Sequence, residues 1–481
     1  MRFNIITRYI GLVLVINALF MLLSAFIAVY YGIDTGLYPL IMSAILTVAL
    51  GCFPLIFVDA DNNINSKEAY IIVVGSWVIS CVVGTFPYLL WGGEFTVVNA
   101  WFESVSGFTT TGSTILNDIE AVPKSLLFWR SSTHWLGGIG VMMFVLVAIP
   151  SLGRVKMTLS NIQMSALAKD NFKYKTQKIV KILLFVYIGL TFTASIFLRI
   201  AGMDWFDSIN HAFSTVATGG FSTRSLSISY FSNKWVEIII TLFTVIAGIH
   251  FGVLYATLTG KKNNIFRSEV TMFYIWSLII GGVLITGSLW FSDTYNSLGE
   301  AARYAYFQAA TICTTTGFAT TDTNIWPPFA LVILIYFSFT SACSGSTTGG
   351  LKADRILLSY KSVIARVKQL QHPNAIIRVK MDKTIIEDNT LSLVNMFIVI
   401  YILFVLLGTL LISISGLDLM TSFSAAFASM GNVGPGFGAV SSLSNYSVIP
   451  DYVKIICTLL MLIGRLEIFG LLLIAMIRIW R

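Results

Sequence analysis

The chain has 481 residues, of which 56% are apolar and only 11% are charged, and its formal net charge is +8. Soluble domains carry roughly 25% charged residues, so this composition excludes a soluble globular protein, a disordered chain and a nucleic-acid-binding domain. About 20 apolar residues cross a bilayer as a helix, so a chain of this length can cross a membrane many times.

Ten long apolar runs are predicted to be membrane-spanning helices. No small-residue cleavage site follows the first run, so we expect it to be retained as a helix. Four shorter segments of mixed character lie between later runs, and they are too short to cross. The long runs cover 9–31, 38–58, 69–91, 126–149, 179–201, 235–259, 270–291, 328–340, 393–415 and 452–479. The short segments cover 98–110, 205–217, 299–314 and 419–430.

The positions of the basic residues predict the orientation of these spans. Of the 31 Lys and Arg residues, 23 fall in six segments: 1–8, 59–68, 153–181, 260–268, 352–383 and the C-terminal tail. Cytoplasmic loops are enriched in Lys and Arg, and the bias is consistent only if every short segment re-enters from the outside without crossing. We therefore expect a multi-pass protein with both termini in the cytoplasm.

After the first two runs, the chain repeats one unit four times. Each unit has a spanning run, a short helix, a Gly-containing loop and a second spanning run. The loop glycines Gly112, Gly219, Gly317 and Gly434 are 107, 98 and 117 residues apart, which indicates internal duplication. We expect an all-α membrane protein with four pseudo-symmetric repeats around a central pore, plus two N-terminal transmembrane helices. The predicted units are 1–66 (the two extra helices), 67–152, 153–260 (with a preceding cytoplasmic loop), 261–370 (with a broken second helix) and 371–481.

The four loops are predicted to form a selectivity filter for a cation. Non-helical backbone at membrane depth persists only where it is buried or lines a watery cavity, and rings of carbonyl oxygens replace the hydration shell of a cation. Glycine lets the backbone turn its carbonyl groups inward, and each short helix aims its partly negative C-terminus at the centre. One Thr-Thr-Gly alone is more typical of an ordinary turn, but four at matched positions favour a pore. The predicted filter residues are Thr110, Thr111, Gly112, Ala217, Thr218, Gly219, Thr315, Thr316, Gly317, Asn432, Val433 and Gly434.

Two features beyond the filter are candidates for a gate. Eleven of the thirteen residues in 338–350 are Ser, Thr, Gly or Ala, which makes a poor helix that should line a cavity at depth. We predict a flexible loop that obstructs the pore when closed, and a small-residue packing face is the alternative. Arg465, inside the last span, would repel a cation, although an ion pair with Glu467 or a snorkelling side chain is the alternative. The predicted gate residues are Ser341, Ala342, Cys343, Ser344, Gly345, Ser346, Thr347, Thr348, Gly349 and Arg465.

The motifs resemble those of the superfamily of potassium transporters that includes the TrkH, KtrB and HKT proteins, and the TrkH group is the most similar. The resemblance covers essentially the whole chain, including the two extra spans. It implies a homodimer in a bacterial inner membrane, with a pore in each subunit, potassium as the transported ion and no covalently bound cofactor. It also implies a cytosolic ring of TrkA-type nucleotide-binding subunits. The chain has no nucleotide-binding glycine motif of its own, so we expect any nucleotide control to act through that partner. The matching stretches are 102–112, 129–140, 217–223, 314–318 and 431–436.

Several titratable residues carry weaker predictions. Glu103 is a candidate to brace the filter or to pair locally, and Arg130 is a candidate anchor at the membrane interface. His134 and His211 flank pore elements and are more typical of structural histidines than of ion ligands.

Charged segments outside the spans carry predictions of the same kind. Asp118 and Glu120 either concentrate cations at the outer mouth or belong to a solvated loop. The basic segments 153–181 and 352–383 are candidates for contact with anionic membrane lipid or with the regulatory ring.

The predicted function is potassium uptake through a channel-like pore, gated by the loop and by the cytosolic partner, and a sodium-coupled KtrB-like transporter is the alternative. A membrane enzyme would need clustered acid, base or metal groups. The four His are scattered and the five Cys show neither disulfide nor zinc spacing, so we expect no enzyme. The apolar composition leads us to expect no nucleic-acid partner. A secondary transporter of an organic solute would show paired interruptions in two halves.

Overall fold

The computed structural model describes residues 2–59, 66–151, 176–260, 264–382 and 384–468. Apart from one antiparallel pair of two-residue strands, β1 (Lys380–Met381) and β2 (Thr384–Ile385), the regular structure in these ranges is helical. The helices that precede the third repeat are α1 (Phe3–Tyr30), α2 (Leu37–Phe57), α3 (Ser66–Gly84), α4 (Phe86–Trp91), α5 (Val97–Phe108), α6 (Lys124–Ser151), α7 (Thr176–Ile200), α8 (Trp205–Val216), α9 (Lys234–Ala247) and α10 (Phe251–Leu258). The later helices are α11 (Glu269–Phe291), α12 (Leu298–Cys313), α13 (Pro328–Thr340), α14 (Ala353–Gln371), α15 (Asp388–Ser413), α16 (Leu419–Gly431) and α17 (Asp451–Arg465).

Six helices in the described ranges are long and apolar enough to cross a membrane, and α9 with α10 forms a seventh span if the bent pair is counted as one. Their outward faces carry exposed apolar side chains such as Phe192, Leu284 and Leu410, which suits contact with acyl chains. The chain is therefore a multi-pass membrane protein. The last predicted span is helical to Arg465, and its end at 469–479 lies outside the described residues.

The two N-terminal helices form a closely packed hairpin. A Cβ atom added to Gly11 would lie 2.5 Å from the carbonyl oxygen of Gly51, and one added to Gly51 would lie 2.8 Å from that of Gly11. Small residues allow this approach, which membrane helices use in place of a hydrophobic driving force. Asn17 Nδ2 donates to Ser80 Oγ over 2.8 Å, and this buried bond ties the hairpin to α3.

Four pore helices, α5, α8, α12 and α16, follow the first span of each repeat and begin in the same way. We call the side of the bundle on which they begin the outer side. The residue before each helix caps it by accepting a bond from the backbone N–H three residues later, which satisfies one free donor at each start. The caps are Thr96, Asp204, Ser297 and Asp418. The predicted all-α architecture of four repeats and two extra helices is confirmed.

The second spans of the repeats differ in continuity. In the first repeat α6 is unbroken, whereas in the second repeat α9 and α10 meet at an angle of 102°. His250 restarts the helix there by accepting a bond from Gly252 N over 2.9 Å. The third repeat is irregular between α13 and α14, and α17 ends at Arg465. The sequence predicted an interruption in the third repeat alone. The break in the second repeat was missed because residues 248–250 lie within one long apolar run, 235–259, that reads as a single span.

Candidate functional site

Each pore helix ends in the same turn. The turn residues Thr110, Thr218, Thr315 and Asn432 have left-handed backbones, with φ of 52°, 54°, 54° and 53°. The next backbone N–H donates to the carbonyl five residues earlier, over 2.9, 2.7, 2.7 and 2.9 Å in chain order. This pattern is a Schellman motif, which ends the helix and turns the chain sharply away from it.

In three of the four turns, the residue with the left-handed backbone adopts an energetically unfavourable conformation. Glycine or asparagine usually takes the left-handed place, and a β-branched residue there is an outlier. Thr110, Thr218 and Thr315 hold it nonetheless. Such a conformation costs of order 1–3 kcal/mol, and it persists where surrounding structure over-determines it, as at functional sites.

The four loops close into one ring. A Cβ atom on Gly112 would overlap the carbonyl oxygen of Gly219, so the first loop abuts the second. In the same way, Gly220 abuts the oxygen of Thr316, and Gly317 that of Val433. The ring closes at Gly434, whose added Cβ would lie 2.5 Å from the oxygen of Thr111. Four main-chain carbonyl groups, those of Thr111, Gly219, Thr316 and Val433, therefore surround a common centre.

The structure shifts the register of the second loop by one residue. The sequence paired Ala217, Thr218 and Gly219 with the other filter segments, but Thr218 holds the left-handed turn and Gly220 the ring contact. Ala217 instead caps the end of α8. Two consecutive glycines made the alignment ambiguous, and only the backbone conformation distinguishes them.

On the outer side, the ring opens into a cavity of about 490 Å³, including its mouth. Hydroxyl groups and filter glycines line much of it. Asp118 and Glu120 are not among its lining residues: Asp118 accepts from Ala121 N over 3.2 Å, and Glu120 accepts from Ser225 of the second repeat. Burial raises the pKa of Glu120, but the bonds from Ser225 outweigh it and hold the pKa below its usual value. These carboxylates therefore fix outer loops.

A buried ion pair between Glu103 and Arg130 connects the segments that follow the first two filter loops. Glu103 on α5 accepts from Arg130 Nε over 2.5 Å and from Ile115 N over 3.1 Å. Arg130 also donates to the carbonyl of Ser222 over 2.8 Å, which joins the first repeat to the second. Arg130 is 2% exposed, so its predicted place at the membrane interface is wrong. His211 contacts Ser222 Oγ over 3.0 Å in a comparable bracing role.

The irregular segment of the third repeat, residues 341–350, which we call the intramembrane loop, lies directly on the inner side of the filter. Gly349 N donates to Thr315 Oγ1 over 2.8 Å, and Thr347 Oγ1 lies 3.2 Å from Thr218 Oγ1. The loop thus touches the left-handed turns of two repeats. It begins at Ser341, and Lys352 lies two residues after its end. Both residues have a positive φ, of 51° and 69°, which is unfavourable outside glycine.

Two cationic side chains hold the intramembrane loop. Arg465 Nη1 donates to the carbonyl of Thr347 over 2.9 Å, and Lys352 Nζ donates to the carbonyl of Thr348. Both side chains are buried. Glu467 pairs with Arg355 over 2.9 Å. The sequence placed Lys352 among the inside basic residues, and its position just after the glycine-rich run was the signal for a role at the loop.

The break in the second repeat supplies further partners for the loop. Cys343 N donates to the carbonyl of Gly248 over 3.0 Å, and Phe251 N donates to the carbonyl of Gly345 over 3.2 Å. Asp354 at the start of α14 accepts from Ser344 Oγ over 2.6 Å. These bonds satisfy several polar backbone groups of the irregular loop, as a non-helical segment between membrane-spanning helices requires.

Among the described residues, no group of three His, Cys, Asp or Glu side chains could hold a metal ion, and the five cysteines are free thiols.

Comparisons with known proteins agree with this fold. A family model described as TrkH, a cation transport protein, matches residues 40–273 and 264–479. The Trk system potassium uptake protein TrkH of Escherichia coli (strain K12) is 33% identical to this chain over 487 residues. The alignment covers 100% of both chains. TrkG of the same strain is 30% identical over 484 residues, with 99% of both chains covered. The crystal structure of the potassium transporter TrkH from Vibrio parahaemolyticus matches with a TM-score of 0.91 at 30% identity, over 100% of both chains.

Proposed function

Because this chain belongs to the TrkH family of cation transport proteins, we propose that it takes up potassium ions across a bacterial inner membrane. The observation that carries the proposal is the closed ring of four carbonyl groups at the ends of four pore helices. Such rings replace the hydration shell of a monovalent cation. The relatives named potassium uptake proteins support the choice of ion.

The proposed filter uses the main-chain oxygens of the residues that turn from each pore helix into the ring. Each pore helix ends beside the centre, so its partly negative C-terminus adds an attractive field for a cation. With the register corrected, the filter residues are Thr110–Gly112, Thr218–Gly220, Thr315–Gly317 and Asn432–Gly434. Glycine at the last position of each segment suits the positive φ that the ring requires.

The proposed gate is the intramembrane loop with Arg465, and Lys352 is added to it. The bonds from Thr347 and Gly349 to the filter turns support a loop that closes the inner end of the pathway. A buried guanidinium near the axis also opposes the passage of a cation by charge repulsion. Opening requires the loop to leave the filter and to lose its bonds to Arg465 and Lys352.

The proposed assembly is a homodimer with a cytosolic ring of nucleotide-binding TrkA-type subunits, and both termini lie in the cytoplasm. The relatives' names refer to a Trk system, which supports association with further components. The basic segments between spans support the orientation. Potassium is then the cargo of a transporter, with membrane lipid around it.

The experiment is a flux assay with the purified protein in proteoliposomes under defined ion gradients, with and without the cytosolic partner. We expect uptake of potassium and rubidium that exceeds uptake of sodium. A matched pair of variants, Gly317→Ala in the ring and Gly189→Ala on α7, tests the site. An added Cβ at Gly317 would overlap the carbonyl of Val433, whereas one at Gly189 meets no atom within 4 Å. Flux of potassium that is absent in the wild type, or unchanged in Gly317→Ala, would contradict the proposal.

A further inference from the structure

One filter strand lacks a side chain that the other three have. The residue whose carbonyl enters the ring is Thr111, Thr316 or Val433 in the first, third and fourth repeats, and all three are buried. Branching at Cβ restricts a residue's conformations, whereas glycine has the greatest backbone freedom. In the second repeat this residue is Gly219, so its carbonyl stands on the least restrained strand.

In two of the other strands, the side chain is also fixed by hydrogen bonds to its surroundings. Thr111 Oγ1 lies 2.7 Å from Thr109 Oγ1 and accepts from Asn432 Nδ2 over 3.0 Å. Thr316 Oγ1 lies 2.8 Å from Thr314 Oγ1. Each hydroxyl ties its strand to the end of a pore helix, and Gly219 has no group that could do the same.

The imidazole of His134 occupies the space behind Gly219. A Cβ atom on Gly219 would lie 2.5 Å from Cγ and 2.6 Å from Cε1 of that ring. The φ of Gly219 lies outside the left-handed region, so its backbone tolerates a side chain, and the atoms nearest to the added Cβ are those of the imidazole. His134 Nδ1 lies 3.2 Å from Ser214 Oγ, which ties the imidazole to pore helix α8.

The imidazole itself is held rigidly. It stacks on Phe221 with the ring centroids 4.0 Å apart and the planes at 15°. The guanidinium carbon of Arg130 lies 3.6 Å from the centroid of the Phe221 ring. Arg130 and His134 are four residues apart on α6 and therefore project from one face of that helix. They hold Phe221 between them, and Glu103 in turn fixes Arg130.

We propose that His134 is a positioning residue that supplies, from the second span of the first repeat, the side chain that Gly219 lacks. It thereby fixes the carbonyl of Gly219 in the cation ring. The inference rests on the proposed function, because it assigns His134 a part in discriminating between ions that pass the ring. Without the imidazole, this strand is free to shift into the vacated space, so its carbonyl no longer keeps the fixed distance from the centre that favours potassium over a smaller cation.

The test is a swap of side chains across this contact, measured as the ratio of potassium to sodium flux in proteoliposomes. We expect His134→Ala to lower the ratio by about tenfold, the effect of ~1.4 kcal/mol. Gly219→Thr alone should also lower the ratio, because the threonine side chain would overlap the imidazole. The double variant His134→Ala/Gly219→Thr should regain the wild-type ratio, since it moves the side chain onto the strand itself.

Further variants separate this account from a loss of folding. His134→Phe keeps a stacked ring without the contact to Ser214 and should keep the ratio, and His372→Ala, at an exposed histidine, is the matched control. Thermal unfolding in detergent identifies any variant that does not fold. An unchanged ratio in His134→Ala, a double variant no better than its worse parent, or a collapse in His134→Phe would each overturn the inference. Absence of potassium flux in the wild type would instead overturn the proposed function.

Discussion

Substitution of Arg465 by glutamine tests the proposed gate most directly. The side chain is buried, and its Nη1 donates to the carbonyl of Thr347 over 2.9 Å. Glutamine is shorter and uncharged, so this bond is lost. The second anchor, from Lys352 to Thr348, remains in place. The change therefore removes one of the two cationic anchors of the intramembrane loop and leaves the filter untouched.

The size of the effect follows from the kind of bond. A hydrogen bond from a charged donor contributes ~1.5–3 kcal/mol net. Since about 1.4 kcal/mol corresponds to a factor of ten, the equilibrium between closed and open loop should shift toward open by about 10- to 150-fold. If opening limits transport, potassium flux in the absence of any cytosolic partner rises by a comparable factor until the open state predominates.

The assay is uptake of rubidium into proteoliposomes that hold equal amounts of each protein. Arg8→Gln is the matched control, because Arg8 Nη1 donates to the carbonyl of Leu55 over 2.8 Å in the N-terminal hairpin, away from the pore. We expect higher flux in Arg465→Gln and unchanged flux in Arg8→Gln. Equal flux in the wild type and both variants would refute the reasoning that Arg465 holds the loop closed.

Three other outcomes are expected. Gly220→Ala, at a φ of 83° and facing the carbonyl of Thr316, should abolish potassium flux in the same assay, and Gly287→Ala, with no atom within 4 Å of the new Cβ, should not. Glu103→Gln leaves Arg130 buried without its charged partner and should lower the free energy of unfolding by ~3–5 kcal/mol in denaturant titrations, whereas no loss would argue against a structural pair. Gly51→Val should lower the melting temperature without changing ion selectivity, and an altered selectivity would contradict the separation of hairpin and pore.

The sequence predicted the architecture well because membrane helices carry strong signals. Long apolar runs that can cross a membrane alternate with shorter segments that cannot. The predicted short segment at 98–110, for example, is the pore helix Val97–Phe108. The fourfold repetition of a glycine loop then indicated a closed arrangement. These features depend on composition and spacing, which a single sequence contains.

Other features depend on backbone conformation or on contacts between distant residues. Choosing between Gly219 and Gly220 needs the left-handed turn at Thr218, which the sequence does not display. The break at His250 is hidden by apolar neighbours on both sides. The contact between His134 and Gly219 joins two repeats, and spacing within one repeat carries no trace of it.

The unbroken helix α6 has a mechanical consequence for the whole molecule. It runs from Lys124 to Ser151, while the other second spans bend or end near the inner face of the filter. A continuous helix is stiff and moves as one body, whereas the two parts of a broken helix can move relative to each other. Because Arg130 and His134 lie on this helix, we expect the first two filter strands to keep their places during opening, while the broken second spans of the other three repeats carry the chain motion.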